Sequence, residues 1–266
     1  MTLAYTRTGT ATGEPLVLLH PLGSERSVWR PVVPALAAAH DVVAVDLPGF
    51  GDSPLPHDPT PAGLALDVAA LLDELGIAEP HVAGNSLGGW VALELAAIRP
   101  VASLALLAPA GLWRHHTPRY VRTSLRATRW LAVHVPGVLS RMVGTRLVRL
   151  LVLGQTHGRP LAAPAEYARA AIRAMGTSPG FDAVFGASLD RRYLRGGRIE
   201  VPVAVAFGTR DRLLLARQSR HLDQLPPGTR IVRLARCGHV PMHDDPEAVV
   251  RFITASVGAG LRSGRG

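Results

Sequence analysis

A mostly parallel, doubly wound α/β sheet interrupted by a helical insert is the fold class predicted by this 266-residue sequence. Three observations carry that prediction. Short apolar runs alternate with helical patterns over residues 1–111 and again over 196–257, as strands do when crossover helices cover both faces of a sheet. Between them, residues 112–195 read as successive helices without strands. Residues able to do chemistry fall where the apolar runs stop, which is where open parallel sheets bind ligands.

Residues 3–7 read as an edge strand closed by Gly9 and Gly13, and 15–20 as a buried strand stopped by Pro21. Residues 25–39 carry helical spacing made irregular by Pro31 and Pro34, and 41–45 form the next strand. A helix over 62–75 ends at Gly76, the strand 80–83 runs into Ser86, and a helix leaves Ser86 for Pro100. Residues 101–107 make another strand. Helices over 119–134 and 140–153 fall in the insert, punctuated by Pro136-Gly137 and Gly158-Arg159-Pro160. The alternation resumes with a strand at 203–207, a helix at 214–222, a strand at 229–234 and a helix at 246–256, and the Gly-rich residues 258–266 are expected to form a flexible tail.

With 47% hydrophobic and 18% charged residues the composition is globular. All 29 basic residues are Arg, unevenly placed. Residues 112–195 hold 14 Arg against Glu166, Asp182 and Asp190, a balance of +11, while the rest of the chain stands at −2. Arg119, Arg122, Arg126 and Arg129 recur three or four apart, so they share a helical face. The plain expectation is a solvated basic face over an apolar underside; attraction to anionic substrates and weak contact with a membrane surface are the sharper readings. No nucleic-acid motif accompanies the Arg residues, so nucleic acid is not an expected partner. Cys237 is the single cysteine, which excludes an intramolecular disulfide and a cysteine metal cluster. The N-terminus lacks the pattern of a signal peptide, and no apolar run approaches the roughly 18 residues of a membrane span. A cytoplasmic location is expected.

Gly84-Asn85-Ser86-Leu87-Gly88-Gly89 is the centre of the functional reading. A serine in G-x-S-x-G, between a buried strand and a helix, stands on a sharp turn that exposes its hydroxyl above the sheet. Gly84 and Gly88 give that turn room, and the helix start favours developing negative charge. Serine needs a base to take its proton, and the base needs a third group to hold its tautomer. His239, after a strand and beside Gly238, is the first candidate base. His243 lies further along the loop, His81 lies at the start of a strand, and His115, His116, His134 and His157 lie in the insert and would have to reach down. Asp211, in Gly208-Thr209-Arg210-Asp211, is the first candidate acid. Asp46 reads instead as a turn acid that braces backbone, and Asp244 and Asp245 as capping residues before Pro246. The strand after the nucleophile helix ends in Ala108-Pro109-Ala110, which offers no carboxylate. Ser86, Asp211, His239 is the chain order Ser…Asp…His. Oxyanion donors are expected from the backbone N–H groups of Leu87 and, because Pro21 has none, of Leu22.

Together these residues resemble the α/β-hydrolase superfamily over nearly the whole chain. The elbow carries the nucleophile, and Asp46-Leu47-Pro48-Gly49-Phe50-Gly51-Asp52-Ser53 looks like the family's structural Asp-x-x-Gly-x-Gly-x-Ser turn. Gly208-Thr209-Arg210-Asp211 and Cys237-Gly238-His239-Val240-Pro241 resemble its acid and histidine loops. The resemblance implies that residues 112–195 form a helical cap shaping the substrate pocket. His20-Pro21 stands where the family usually has His-Gly. Serine at the elbow separates the chain from branches that resemble this fold but use aspartate there. Gly-Asn-Ser-x-Gly-Gly is similar to carbon–carbon hydrolases of ring-fission diketones, although Val240-Pro241-Met242 lacks the Trp those usually carry.

The expectation is therefore a hydrolase of carboxylic esters or lactones that acts on a small molecule through an acyl-enzyme, with no cofactor or metal. Carbon–carbon hydrolysis, acyl transfer to an acceptor other than water, and a ligand-binding protein on the same fold remain open.

Overall fold

The computed structural model describes residues 2–10, 12–194 and 198–263. Its frame is a seven-stranded sheet of β1 (Tyr5–Gly9), β2 (Glu14–Leu19), β3 (His40–Val45), β4 (His81–Asn85), β5 (Ser103–Leu107), β6 (Val203–Gly208) and β7 (Arg230–Leu234). The strand order is β1-β3-β2-β4-β5-β6-β7, antiparallel only between β1 and β3. Every residue of β1 is at least partly open to solvent, as an edge strand should be, and Arg7 anchors it with a two-pronged bond to Asp41 (2.6 and 2.9 Å). β3, β4, β5 and β6 are buried along their whole length, which explains their continuous apolar runs.

Alternate residues feed two cores. Val17 and Leu19 of β2 join one face, and Leu16 and Leu18 the other. The first face is covered by α2 (Pro61–Glu74) and α3 (Leu87–Ala96), the second by the short α1 (Val33–Ala37) and α10 (Pro246–Ser263). Thr60 caps α2 through Gly63 N (3.1 Å) ahead of Pro61. The expected helix over 25–39 divides into a 3-10 turn at Arg26–Trp29 and α1, with Pro31 in the break and Pro34 in the first turn of α1.

Between β5 and β6 come α4 (Arg119–His134), α5 (Pro136–Met142), α6 (Arg146–Leu153), α7 (Ala165–Thr177) and α8 (Phe181–Ser188), with no strand among the described residues. The single helix expected over 140–153 is two. Gly144 disfavours continuation, and the Thr145 hydroxyl accepts the Val148 N–H to start α6 afresh. Val143 at this break packs with Leu153, Ala163, Ala168 and Ile172 in a small core belonging to these helices. The expected boundary at 195/196 falls on residues 195–197, outside those described.

Two further expectations change. The helix over 214–222 shrinks to α9 (Ala216–Ser219): before it Leu213 and Leu214 pack on Val121 of α4, and after it Arg220 leaves the helical conformation. The last helix continues to Ser263, so residues 258–263 extend α10 rather than form a tail; 264–266 are outside the described residues. No described helix is long and apolar enough to cross a membrane.

Candidate active site

Strand order locates the site. The chain leaves β2 toward β3 on one side and β4 toward β5 on the other, so a crevice opens beyond the C-terminal ends of β2 and β4. Leu19 pairs with Gly84 across these strands, which brings the loop of Leu22 beside the turn of Ser86. A Cβ on Gly84 would run into the Gly88 carbonyl, and one on Gly88 into the Leu19 carbonyl. Both glycines therefore allow α3 to start against the end of β2.

Ser86 sits in this turn at φ 54°, ψ −112°, a left-handed conformation that L residues rarely adopt. Its backbone is held on both sides: Ser86 N donates to Leu107 O (3.0 Å), and Ser86 O accepts from Trp90 N (3.1 Å) and Ala110 N (2.9 Å). Such strain persists only where surrounding bonds enforce it. Leu87 is the first residue of α3, so its N–H lacks an intrahelical acceptor. The Leu22 N–H likewise has no hydrogen-bond acceptor among the described residues. His20 fixes the Leu22 loop: its Nδ1 donates to Pro21 O (2.8 Å) and its Nε2 accepts from Leu47 N (2.9 Å). Burial lowers the His20 pKa, which keeps this ring neutral. The proline at position 21 is thus accommodated by a histidine bridge.

His239 is buried, and its Nδ1 donates to Asp211 Oδ2 at 3.0 Å. The other carboxylate oxygen, Asp211 Oδ1, accepts the N–H groups of Leu213 and Leu214 at 2.9 Å each. Burial alone would raise the Asp211 pKa, but His239 and these two amides outweigh it and hold the carboxyl below its ordinary value. His239 Nε2 is buried without a hydrogen-bond partner among the described residues. Ser86, His239, Leu22 and Leu87 all line one cavity of about 370 Å³ between the strand ends and the inserted helices.

The rival residues sort by contact. The Asp46 carboxylate accepts from Arg26 N (2.6 Å), Asp52 N (3.0 Å) and the Arg26 guanidinium, so it braces its turn as expected. His81 bonds Ser103 Oγ (2.8 Å) and Glu14 (3.3 Å) at the start of β4. Asp245 caps α10 through Ala248 N (2.9 Å), but Asp244 does not share that role. Its buried carboxylate instead takes the N–H groups of Gly158, Arg159 and Gly238, each at 2.7 Å. Asp244 thereby ties a strap, Thr156 to Arg159, across the His239 loop; Val240 N also donates to Thr156 O (2.8 Å). Glycines make the crossing possible, since a Cβ on Gly238 would meet the strap backbone.

That strap carries His157 down into the cavity, where the sequence alone left it in the insert. It is buried against Tyr167, and burial lowers its pKa to about 3. Asn85 was equally unmarked beyond its place in the motif. Its Nδ2 donates to Leu107 O (2.8 Å) and His239 O (2.9 Å), coupling the Ser86 turn to the histidine loop. The available signal is a side-chain amide at the end of a buried strand, which must find partners.

Among the described residues, no Arg, Asp, Glu or Lys lines the cavity. The inserted Arg residues lie elsewhere, and several close backbone carbonyls. Arg122 donates to Thr117 O and Leu189 O, Arg129 to Met175 O and Ser178 O, and Arg149 to Ala163 O. The basic face expected on α4 is therefore mixed: Arg119 and Arg126 are exposed, whereas Arg122 and Arg129 brace neighbouring segments.

Comparison with known proteins agrees with this architecture. A family model described as alpha/beta hydrolase matches residues 16–252. The chain is 31% identical to the dihydrolipoyllysine-residue acetyltransferase component of the acetoin cleaving system of Pseudomonas putida, over 93% of this chain but 64% of that protein's length. It is 30% identical to the pimeloyl-[acyl-carrier protein] methyl ester esterase of Neisseria meningitidis serogroup B, over 92% of this chain and 93% of the relative. Among solved structures, the enol-lactonase of Burkholderia xenovorans superposes with a TM-score of 0.76 at 26% identity, covering 96% of both chains.

Proposed function

We propose that this chain, which belongs to the alpha/beta hydrolase family, is a serine hydrolase that cleaves an uncharged carboxylic ester or lactone with an apolar acyl part. The carrying observation is that Ser86, on a strained turn, shares a cavity with His239, whose Nδ1 is held by Asp211 and whose Nε2 is left unpaired. An esterase and an enol-lactonase among the similar proteins support acyl-carbon chemistry over carbon–carbon cleavage.

In the proposed cycle His239 Nε2 takes the Ser86 Oγ proton as the oxygen attacks the carbonyl carbon. The N–H groups of Leu22 and Leu87 donate to the oxyanion, where preorganised donors are worth more than water because they need no reorientation. The C–O bond to the leaving group breaks, and His239 returns the proton to the departing alkoxide. Water then attacks the acyl-enzyme with His239 again as base, and acid and free Ser86 are released. Asp211 holds the tautomer that presents Nε2 as acceptor and stabilises the imidazolium that forms.

Cavity lining from Leu22, Trp90, Leu125, Val152, Ile172 and Met175 supports an apolar acyl chain, and a volume of about 370 Å³ suits a small-molecule site. Each buried methylene is worth about 0.8 kcal/mol, or roughly fourfold. Purified wild type and Ser86→Ala would be compared on p-nitrophenyl esters from acetate to octanoate. The expected result is kcat/KM rising about fourfold per methylene until the cavity fills, with Ser86→Ala at least a thousandfold slower. Near-wild-type turnover by Ser86→Ala would overturn the assignment.

A further inference from the structure

Helices α4, α5 and α6 combine three features that the cavity chemistry does not use. They hold seven Arg, and no Asp or Glu occurs anywhere between Glu94 and Glu166. Arg119, Arg126, Arg141 and Arg146 are exposed, and their guanidinium groups make no hydrogen bond or ion pair among the described residues. Nine of the 17 large hydrophobic side chains exposed among the described residues also fall between 119 and 153. Leu147 is 67% exposed, Leu151 73% and Trp130 56%. On α6 the exposed Leu147, Leu150 and Leu151 recur at three and four residues, so they form one face. Leu131, Met142 and Leu151 are exposed and also line the cavity, so the cavity reaches the surface through this apolar ground.

We propose that the α4–α6 surface docks on an anionic lipid bilayer, with the cavity mouth set against the lipid. Exposed leucines and a Trp supply the part that enters the interface, and the four unpaired Arg supply the attraction to anionic headgroups, while Asp190 and Asp182 are taken up by Arg122 and Arg129. An acidic protein partner would meet the same cations, but burying so many unpaired apolar side chains favours the lipid. The mouth position implies that an acyl chain passes from bilayer to cavity without crossing water. That last step rests on the proposed ester hydrolysis; the docking does not.

The test is flotation with vesicles of phosphatidylcholine alone and of equimolar phosphatidylcholine and phosphatidylglycerol. Wild type and Ser86→Ala should both bind the anionic vesicles at least tenfold more tightly than the neutral ones. Arg126→Glu with Arg146→Glu, and separately Leu147→Ser with Leu150→Ser, should each reduce that binding at least tenfold. Both double variants should keep turnover of a short soluble ester within about twofold while losing turnover of a vesicle-borne ester. Equal binding to both vesicle types, unchanged binding by the double variants, or self-association of wild type that the Leu variant abolishes would overturn the proposal. Bound Ser86→Ala beside an inactive wild type would uphold the docking and remove only the ester reading.

Discussion

At the floor of the cavity, the loops of Ser86, Asp211 and His239 are joined to one another by buried hydrogen bonds. Asn85 reaches the His239 carbonyl, Asp211 holds His239 and two amides, and Asp244 binds Gly238 to the strap at Gly158 and Arg159. At the mouth, α5 buries none of its side chains and α6 only Leu153. Floor and mouth lie on one chain yet meet different demands. Reacting groups must be held to within a fraction of an ångström, whereas a face that meets an extended apolar surface needs only composition and charge.

Breaking the floor should therefore do more than breaking the mouth. The largest effect is expected from Asp211→Asn, which keeps an acceptor for Leu213 and Leu214 but no longer fixes the His239 tautomer. A fall in kcat of about 10⁴-fold is predicted, with little change in melting temperature. A fall below tenfold would show that another group orients His239.

Asp244→Ala comes next. Three backbone N–H groups lose a carboxylate at once, and urea unfolding should show a loss of about 3 kcal/mol. A loss under about 1 kcal/mol would mean that the strap is held by other contacts.

At neutral pH the smallest effect is that of His157, which emerges only on acidification. Folded His157 is held at about 3 by burial, while the unfolded chain protonates at histidine's ordinary value near 6.5. As pH falls below that value the unfolded state takes up a proton that the folded state refuses. His157 therefore gives full stability above about pH 6.5 and loses about 1.4 kcal/mol per pH unit toward pH 3. His157→Gln should flatten the slope of unfolding free energy between about pH 4 and pH 6 by that amount. An unchanged slope would show that His157 titrates normally.

The comparison of floor and mouth also explains which parts were legible in the sequence. Strand positions and the residues after them could be read because apolar runs and glycines are local signals, and Ser86, Asp211 and His239 follow strand ends in a recognisable order. Asp46 was separable from Asp211 because its turn residues surround it in sequence. Asp244 reads locally as a cap because its partners at Gly158 and Arg159 lie some 85 residues away. Asn85 acts through a similarly remote partner, His239, and His157 reaches the cavity on the strap that Asp244 holds. The late start of α9, after Leu213 and Leu214, likewise involves Val121 across the insert, a tertiary contact that local propensity does not encode. Net charge indicated where the Arg residues fall, but only contacts separate Arg122 and Arg129, which brace carbonyls, from Arg126, which does not.

Covalent labelling tests the central claim most directly. Wild type and Ser86→Ala would be treated with a fluorophosphonate and read by intact mass and peptide mapping, with circular dichroism confirming that both are folded. A single adduct on Ser86, lost in Ser86→Ala, is the predicted result. An adduct on a different residue, or none on folded wild type, would contradict the assignment of Ser86 as an activated nucleophile.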